Sequence, residues 1–171
     1  MIFMTVGTTK FPFDRLLKAV DEVMLKLQTK EELIVQKGET NYQFKYPKTQ
    51  VFKEIPFDKM ISYLKKARVV VTHGGPATIF LALKHSRNKP LVVPRYKDAG
   101  EHVNNHQVFF SEFLKKKGLI EAVFPQENLV ERIKNYMLKP KSLTKNKKYR
   151  SSKENLVEKL VNYTQSLKKN E

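Results

Sequence analysis

The 171-residue chain has no cysteine. Disulfide bonds and thiolate-held metals are thereby excluded, and a reducing compartment is the natural setting. Nor does any stretch approach the roughly 20 apolar residues that a membrane span requires. The apolar opening, residues 1–6, has no basic leader and is far too short for a signal peptide. A soluble protein, or one held at a membrane from outside, is the expectation.

Acidic residues are scarce too. Seventeen Asp and Glu face 33 Lys and Arg, for a net charge of +16. Three explanations compete: nucleic acid, an anionic membrane surface, and a plain solubility adaptation. Much of the excess is expected in the tail from Lys139 onward, outside the core. No glycine-flanked aromatic pair or zinc knuckle is present, which makes nucleic acid a minor option.

Eleven Phe, seven Tyr and 40% apolar residues nevertheless indicate a folded chain. Its size suits one domain with a substantial core. The organising stretch is Val69-Val70-Val71-Thr72-His73-Gly74-Gly75-Pro76-Ala77-Thr78, a buried strand running through paired glycines into an apolar helix over 77–84. Glycine lets the backbone turn tightly and approach a ligand, and Pro76 suits the first turn of a helix. Free amide groups at such a helix start favour an anion, usually phosphate. Taken alone, Gly-Gly-Pro is a tight βα connection. A second loop of the same kind at Gly7-Thr8-Thr9 strengthens the anion reading.

Elsewhere, strands are expected at 2–6, 33–36, 51–55, 90–94 and 119–123, and 42–46 reads as an edge strand or an ordered loop. Helices are expected from about 13 to 27, after Pro56, over 101–117 and over 127–138. This alternation predicts an α/β, doubly wound parallel sheet, whose ligand edge is the carboxyl end of the strands. The chain divides into a domain over 1–138 and, over 139–171, a basic linker with a C-terminal amphipathic helix carrying Leu156, Leu160, Tyr163 and Leu167.

The densest polar cluster is Lys97 to Gln107, with Asp98, Glu101, His102, Asn104, Asn105, His106 and Gln107. His102 and His106, four apart on the expected helix, have the spacing of zinc ligands, but Val103 replaces the glutamate of a His-Glu-x-x-His site. Acids that merely complement a helix dipole are a second reading. The third is a hydroxyl-rich ligand held by carboxylate, amide and imidazole groups. Two phosphate-suited loops beside such a cluster point to a nucleotide sugar. Gly-x-Gly-x-x-Gly, a Walker-type loop and Gly-x-Ser-x-Gly are all absent, which argues against dinucleotide binding and serine hydrolysis.

Residues 1–9 with Phe11-Pro12-Phe13-Asp14-Arg15-Leu16, then 72–78, then Pro94-Arg95 with 101–107, resemble glycosyltransferase family 28, in particular its stand-alone C-terminal-domain members. Those are the soluble subunits of split capsule and exopolysaccharide glycosyltransferases, often β-1,4-galactosyltransferases, and are similar to the soluble half of the dolichol-linked N-acetylglucosaminyltransferase. The resemblance implies a Rossmann-like domain equivalent to the donor-binding half of a GT-B enzyme. A membrane-attached partner would supply the acceptor-binding half. Gly7, Thr8, Thr9, His73, Gly74, Gly75, Ala77 and Thr78 would then hold the diphosphate of a UDP-sugar, and Gln36 and Gly38 would lie near the uracil. Asn105, His106 and Gln107 would face the donor sugar. Where family members commonly carry a ribose-gripping glutamate this chain has Leu81, so Glu101 would substitute or affinity would fall. Transfer of a hexose, galactose foremost, to a lipid-linked acceptor would be inverting and need no metal or other cofactor. Catalytic candidates are His73, Glu101 and His102. The expected location is cytoplasmic and peripheral, at the inner membrane face.

Overall fold

A computed structural model describes residues 1–143. Six parallel strands form one sheet: β1 (Ile2–Thr5), β2 (Leu33–Gln36), β3 (Thr49–Phe52), β4 (Val69–His73), β5 (Leu91–Val93) and β6 (Glu121–Ala122). Their order is β3-β2-β1-β4-β5-β6, with Ile2 beside both Leu33 and Val69. The chain starts in the middle, builds outward to β3, then crosses back to β4. That reversal between β1 and β4 is where a doubly wound sheet opens a crevice at its carboxyl edge.

Both sheet faces are covered, which is why the central strands read as unbroken apolar runs. Ile2, Met4, Leu33, Val35, Val69 and Val71 point to one side, into a core closed by α1 (Asp14–Leu27) and α5 (Leu129–Leu138). Helix α1 buries Leu16, Leu17, Val20, Val23 and Met24, the face its periodicity predicts. On the other side Phe3, Ile34 and Val70 meet α2 (Phe57–Lys66), while Val92 and Ala122 meet α3 (Pro76–His85) and α4 (His106–Lys116).

Three expectations change. The helix expected over 101–117 starts only at His106, because the segment before it is a loop containing a 3-10 turn, Lys97–Ala99. Its inner face is therefore Gln107, Phe110, Ser111 and Leu114, and Val103 and Phe109 stay more than half exposed. Strand β3 ends earlier than expected and β6 is shorter. Of the two readings open for residues 42–46, the ordered loop is the one observed, tied to α1. Buried Asp21 accepts from the Tyr42 hydroxyl and from the Lys45 and Tyr46 amides at 2.9 Å each, and the Tyr46 hydroxyl donates to the Thr29 and Glu31 carbonyls. Burial and the Asp21 carboxylate push the Tyr42 phenol up to about 12.

Past Leu138 the chain does not leave the domain at once. Lys89 donates to the Lys141 carbonyl, Leu143 donates to that of Arg87, and the Lys141 ammonium pairs with Glu121 at 2.9 Å. The amphipathic segment expected at 152–168 lies outside the described residues. Among the described residues no helix is long and apolar enough to cross a membrane.

Candidate functional site

The residues singled out by sequence converge on the carboxyl edge, and His73 is what they converge on. It is the last residue of β4 and only 8% exposed. A Cβ added to Gly7 would lie 2.7 Å from His73 Cε1 and 2.8 Å from Nε2, and one added to Gly75 would overlap Nε2. The imidazole thus fills the space between the loops after β1 and β4, each of which needs glycine to lie against it. Gly7 also sits at φ +76°, in the region that L side chains avoid. Gly38 is stacked on this arrangement in turn, since its Cβ would meet the Gly7 carbonyl at 2.6 Å. Gly74 presses on α4, its Cβ position being 2.8 Å from Gln107 Cβ.

These packings revise the reason for the glycines. The sequence suggested open backbone awaiting an anion; the structure shows backbone packed on a ring and on a neighbouring helix. Each loop nonetheless keeps exposed positions at the edge. Thr8 and Ala77 are exposed, and Thr9 and Thr78 half-buried. Helix α3 begins at Pro76 with Gly75 as a side-chain-less cap, so no side chain caps its first-turn amides. Helices α1 and α4, after β1 and β5, also begin without a side-chain cap, whereas α5 is capped by Asn128. Of the three, α3 alone has neither a side-chain partner nor an acid in its first turn, so its positive end is left uncompensated, whereas α1 carries Asp14 there and the first α4 amide donates to Asn104.

Burial and the nearby Arg95 cation hold the His73 imidazole neutral, its pKa pushed down to about 4. Its Nδ1 is buried without a partner of hydrogen-bonding geometry; the Thr5 carbonyl, which favours a proton on the ring, offsets burial only in part.

Sequence reasoning gave no role to Arg95, the largest fully buried side chain, at 1% exposure. Its guanidinium donates to the carbonyls of Val6 (3.0 Å), Phe11 (2.8 Å), Pro12 (3.0 Å) and Glu101 (3.3 Å), and lies 4.5 Å from the centre of the Phe13 ring. Burial pulls its pKa down to about 10, so it remains a cation at neutral pH, helped by Glu101. Arg15, likewise given no role, holds Glu101 through both oxygens at 2.9 Å and also donates to the Pro94 carbonyl. No local pattern marks Arg95, which follows an ordinary buried strand.

The remaining candidates are placed as follows. Gln36 is buried and accepts from the Thr5 hydroxyl at 2.6 Å, linking β2 to β1. The Glu101 carboxylate, expected to substitute for a ribose-binding acid, is engaged by Arg15; a ribose would have to displace that guanidinium. Leu81 packs into the α2–α3 core. Asn105 uses its side-chain oxygen on the Lys97 amide at 2.8 Å, and buried Gln107 accepts from the Arg95 amide at 3.2 Å. Both brace the loop. His102 lies before α4 rather than on it, so the two histidines do not share a helix face; their rings nonetheless meet edge to face, 4.6 Å between centres. His102 also contacts the Phe11 ring, and burial with Arg95 lowers its pKa. Asn104 accepts from the His106 amide and contacts its Nδ1. Among the described residues no three His, Cys, Asp or Glu are grouped as a metal site would need.

The family model for the glycosyltransferase family 28 C-terminal domain matches residues 1–161. The chain belongs to that family. Among solved structures, the family 28 chain is similar to the glycotransferase of kitacinnamycin, with a TM-score of 0.59 and 19% identity over 81% of its own length. It spans 34% of that protein, and at this identity the likeness shows a shared fold. It also matches the glycosyltransferase SnogD from Streptomyces nogalater, with a TM-score of 0.44 and 16% identity over 82% of this chain and 40% of that one. No curated protein matches it.

Proposed function

We propose that this family 28 domain binds the nucleotide-sugar donor of a glycosyl transfer at the β1–β4 crevice. The observation that carries the reading is the meeting of the Gly7 loop and the uncapped start of α3 on one neutral imidazole, where the strand order reverses. A diphosphate laid across the two loops would meet their backbone amides and the Thr8, Thr9 and Thr78 hydroxyls, with Ala77 leaving room. Gly38 and Gln36 would shape the base side, and the loop from His102 to Gln107 the sugar side.

Transfer breaks the bond between the sugar and the diphosphate, so negative charge grows on the leaving group. Helix-start amides and the Arg95 cation beneath the loop favour that charge, which is electrostatic catalysis by fixed dipoles. No metal is invoked. The neutral His73 cannot neutralise phosphate; it holds the two loops at the spacing that a diphosphate bridges. We place the base that deprotonates the acceptor on a membrane-attached partner that binds a lipid-linked acceptor. The donor is a UDP-hexose, UDP-galactose foremost, and the product a capsule or exopolysaccharide precursor made at the cytoplasmic membrane face.

The test is transfer of labelled sugar from UDP-galactose, UDP-glucose or UDP-N-acetylglucosamine to lipid in membranes, with and without a coexpressed partner. Galactose transfer that depends on both chains is the expected outcome. Donor binding without transfer under any pairing would make this a non-catalytic nucleotide-sugar-binding subunit instead.

A further inference from the structure

We propose that Arg95 is a positioning residue of the donor site: its guanidinium clamps the neck of the Gly7 loop to the Glu101 segment, so that the phosphate-side and sugar-side loops move as one body. The proposal rests on the donor-binding reading above for its functional consequence, and on the geometry alone for the clamp.

The chain enters the Gly7 loop at Val6 and leaves it at Phe11 and Pro12, and one guanidinium binds the carbonyls at both ends. A third contact, to the Glu101 carbonyl, reaches the segment that leads to α4. The same residue's backbone amide donates to Gln107, whose Cβ and carbonyl abut Gly74. Residue 95 therefore touches or adjoins the loops after β1, β4 and β5 together. Its burial leaves it no direct contact with a ligand, so its influence must pass through these loops.

The chemistry favours arginine for this task. A planar fork can serve acceptors lying in different directions, while an ammonium on a flexible stem concentrates its donors at one point. Burying a cation is costly, and an apolar side chain of similar volume often stabilises as well or better. Four carbonyls, the Phe13 ring and the Arg15-held Glu101 offset that cost here, and what the arrangement gains is a fixed relation between segments far apart in sequence.

The deciding variant is Arg95→Lys, which keeps the charge and loses the fork; Arg95→Met removes both. Hydrogen exchange of residues 7–12 and 101–107, titration with UDP and UDP-galactose, and denaturant unfolding are measured on the full chain. With the fold retained, Arg95→Lys is expected to speed exchange in both segments together and to weaken UDP roughly tenfold, the scale of one charge-assisted hydrogen bond. Wild-type exchange and affinity in Arg95→Lys would overturn the clamp, because charge alone would then suffice. If neither variant folds, Glu101→Gln decides: by loosening Arg15 it should speed exchange in 101–105 and in 7–12 alike, and a change confined to 101–105 overturns the coupling. A wild-type chain that ignores UDP would sink the donor reading while leaving the exchange result to judge the clamp.

Discussion

His73 shows how one buried side chain can set the backbone of two loops at once. With its folded pKa near 4 against an ordinary value near 6.5, the native state resists the proton that an unfolded chain accepts. Stability at this position is fully present above pH 6.5 and is lost as pH falls toward 4, by up to about 3 kcal/mol. His73→Gln should flatten that part of the stability-against-pH curve, measured by urea unfolding at successive pH values; an unchanged slope would show that the imidazole is not the titrating group. The neighbouring glycines can be tested on the same scale. Gly75→Ala forces a methyl into the His73 ring and should cost on the order of 1–3 kcal/mol, as overpacking does, read as a fall in Tm. Because the cost arises from packing, an acidic substitution at Gly75 would not isolate a phosphate contact; Thr78→Val, on the half-buried first turn of α3, is the cleaner probe of affinity.

Individual elements show why some of the molecule was legible in its sequence and some was not. Strands β1, β2, β4 and β5 and helix α1 were readable because periodicity and unbroken apolar runs follow directly from burial on one or two faces. Both glycine loops were readable because Gly-Gly-Pro and Gly-Thr-Thr follow such strands. The start of α4 was misread, since Asp98 and Glu101 look like first-turn acids, yet Glu101 is bound by Arg15 and Asn105 is the cap position. The spacing of Gln107, Phe110, Ser111 and Leu114 carried the true phase. Arg95 and Arg15 went unread because what defines them is contact with carbonyls some 80 residues away, which no local pattern encodes. The segment over 42–46 reads equally as strand or loop because its alternating Tyr42, Phe44 and Tyr46 do pack on the core, while Asp21 takes the amides that a neighbouring strand would have bound. Asp21→Ala strands the buried Tyr46 amide and leaves the part-buried Lys45 amide and Tyr42 hydroxyl without their acceptor, and should cost on the order of 1–3 kcal/mol, checked by denaturant unfolding; exchange should quicken across residues 40–47 while β1 and β4 stay protected.

Across the whole molecule, residues 1–138 carry 23 Lys and Arg against 14 Asp and Glu, a net +9 of the chain's +16, and the tail from Lys139 onward supplies the other +7, so both the domain and the tail are strongly basic. An anionic membrane or an anionic donor would both be drawn to such a body at low ionic strength, and salt would weaken both. What separates a donor site from general attraction is location, and location can be read amide by amide. The direct measurement is an amide NMR titration of the full chain with UDP at physiological salt. Saturable shifts centred on Gly7, Thr8, Thr9, Gly74, Gly75, Ala77 and Thr78, with smaller ones at 101–107, are what the account predicts. Shifts scattered over the lysine-rich surface, or none while the fold is intact, would contradict it.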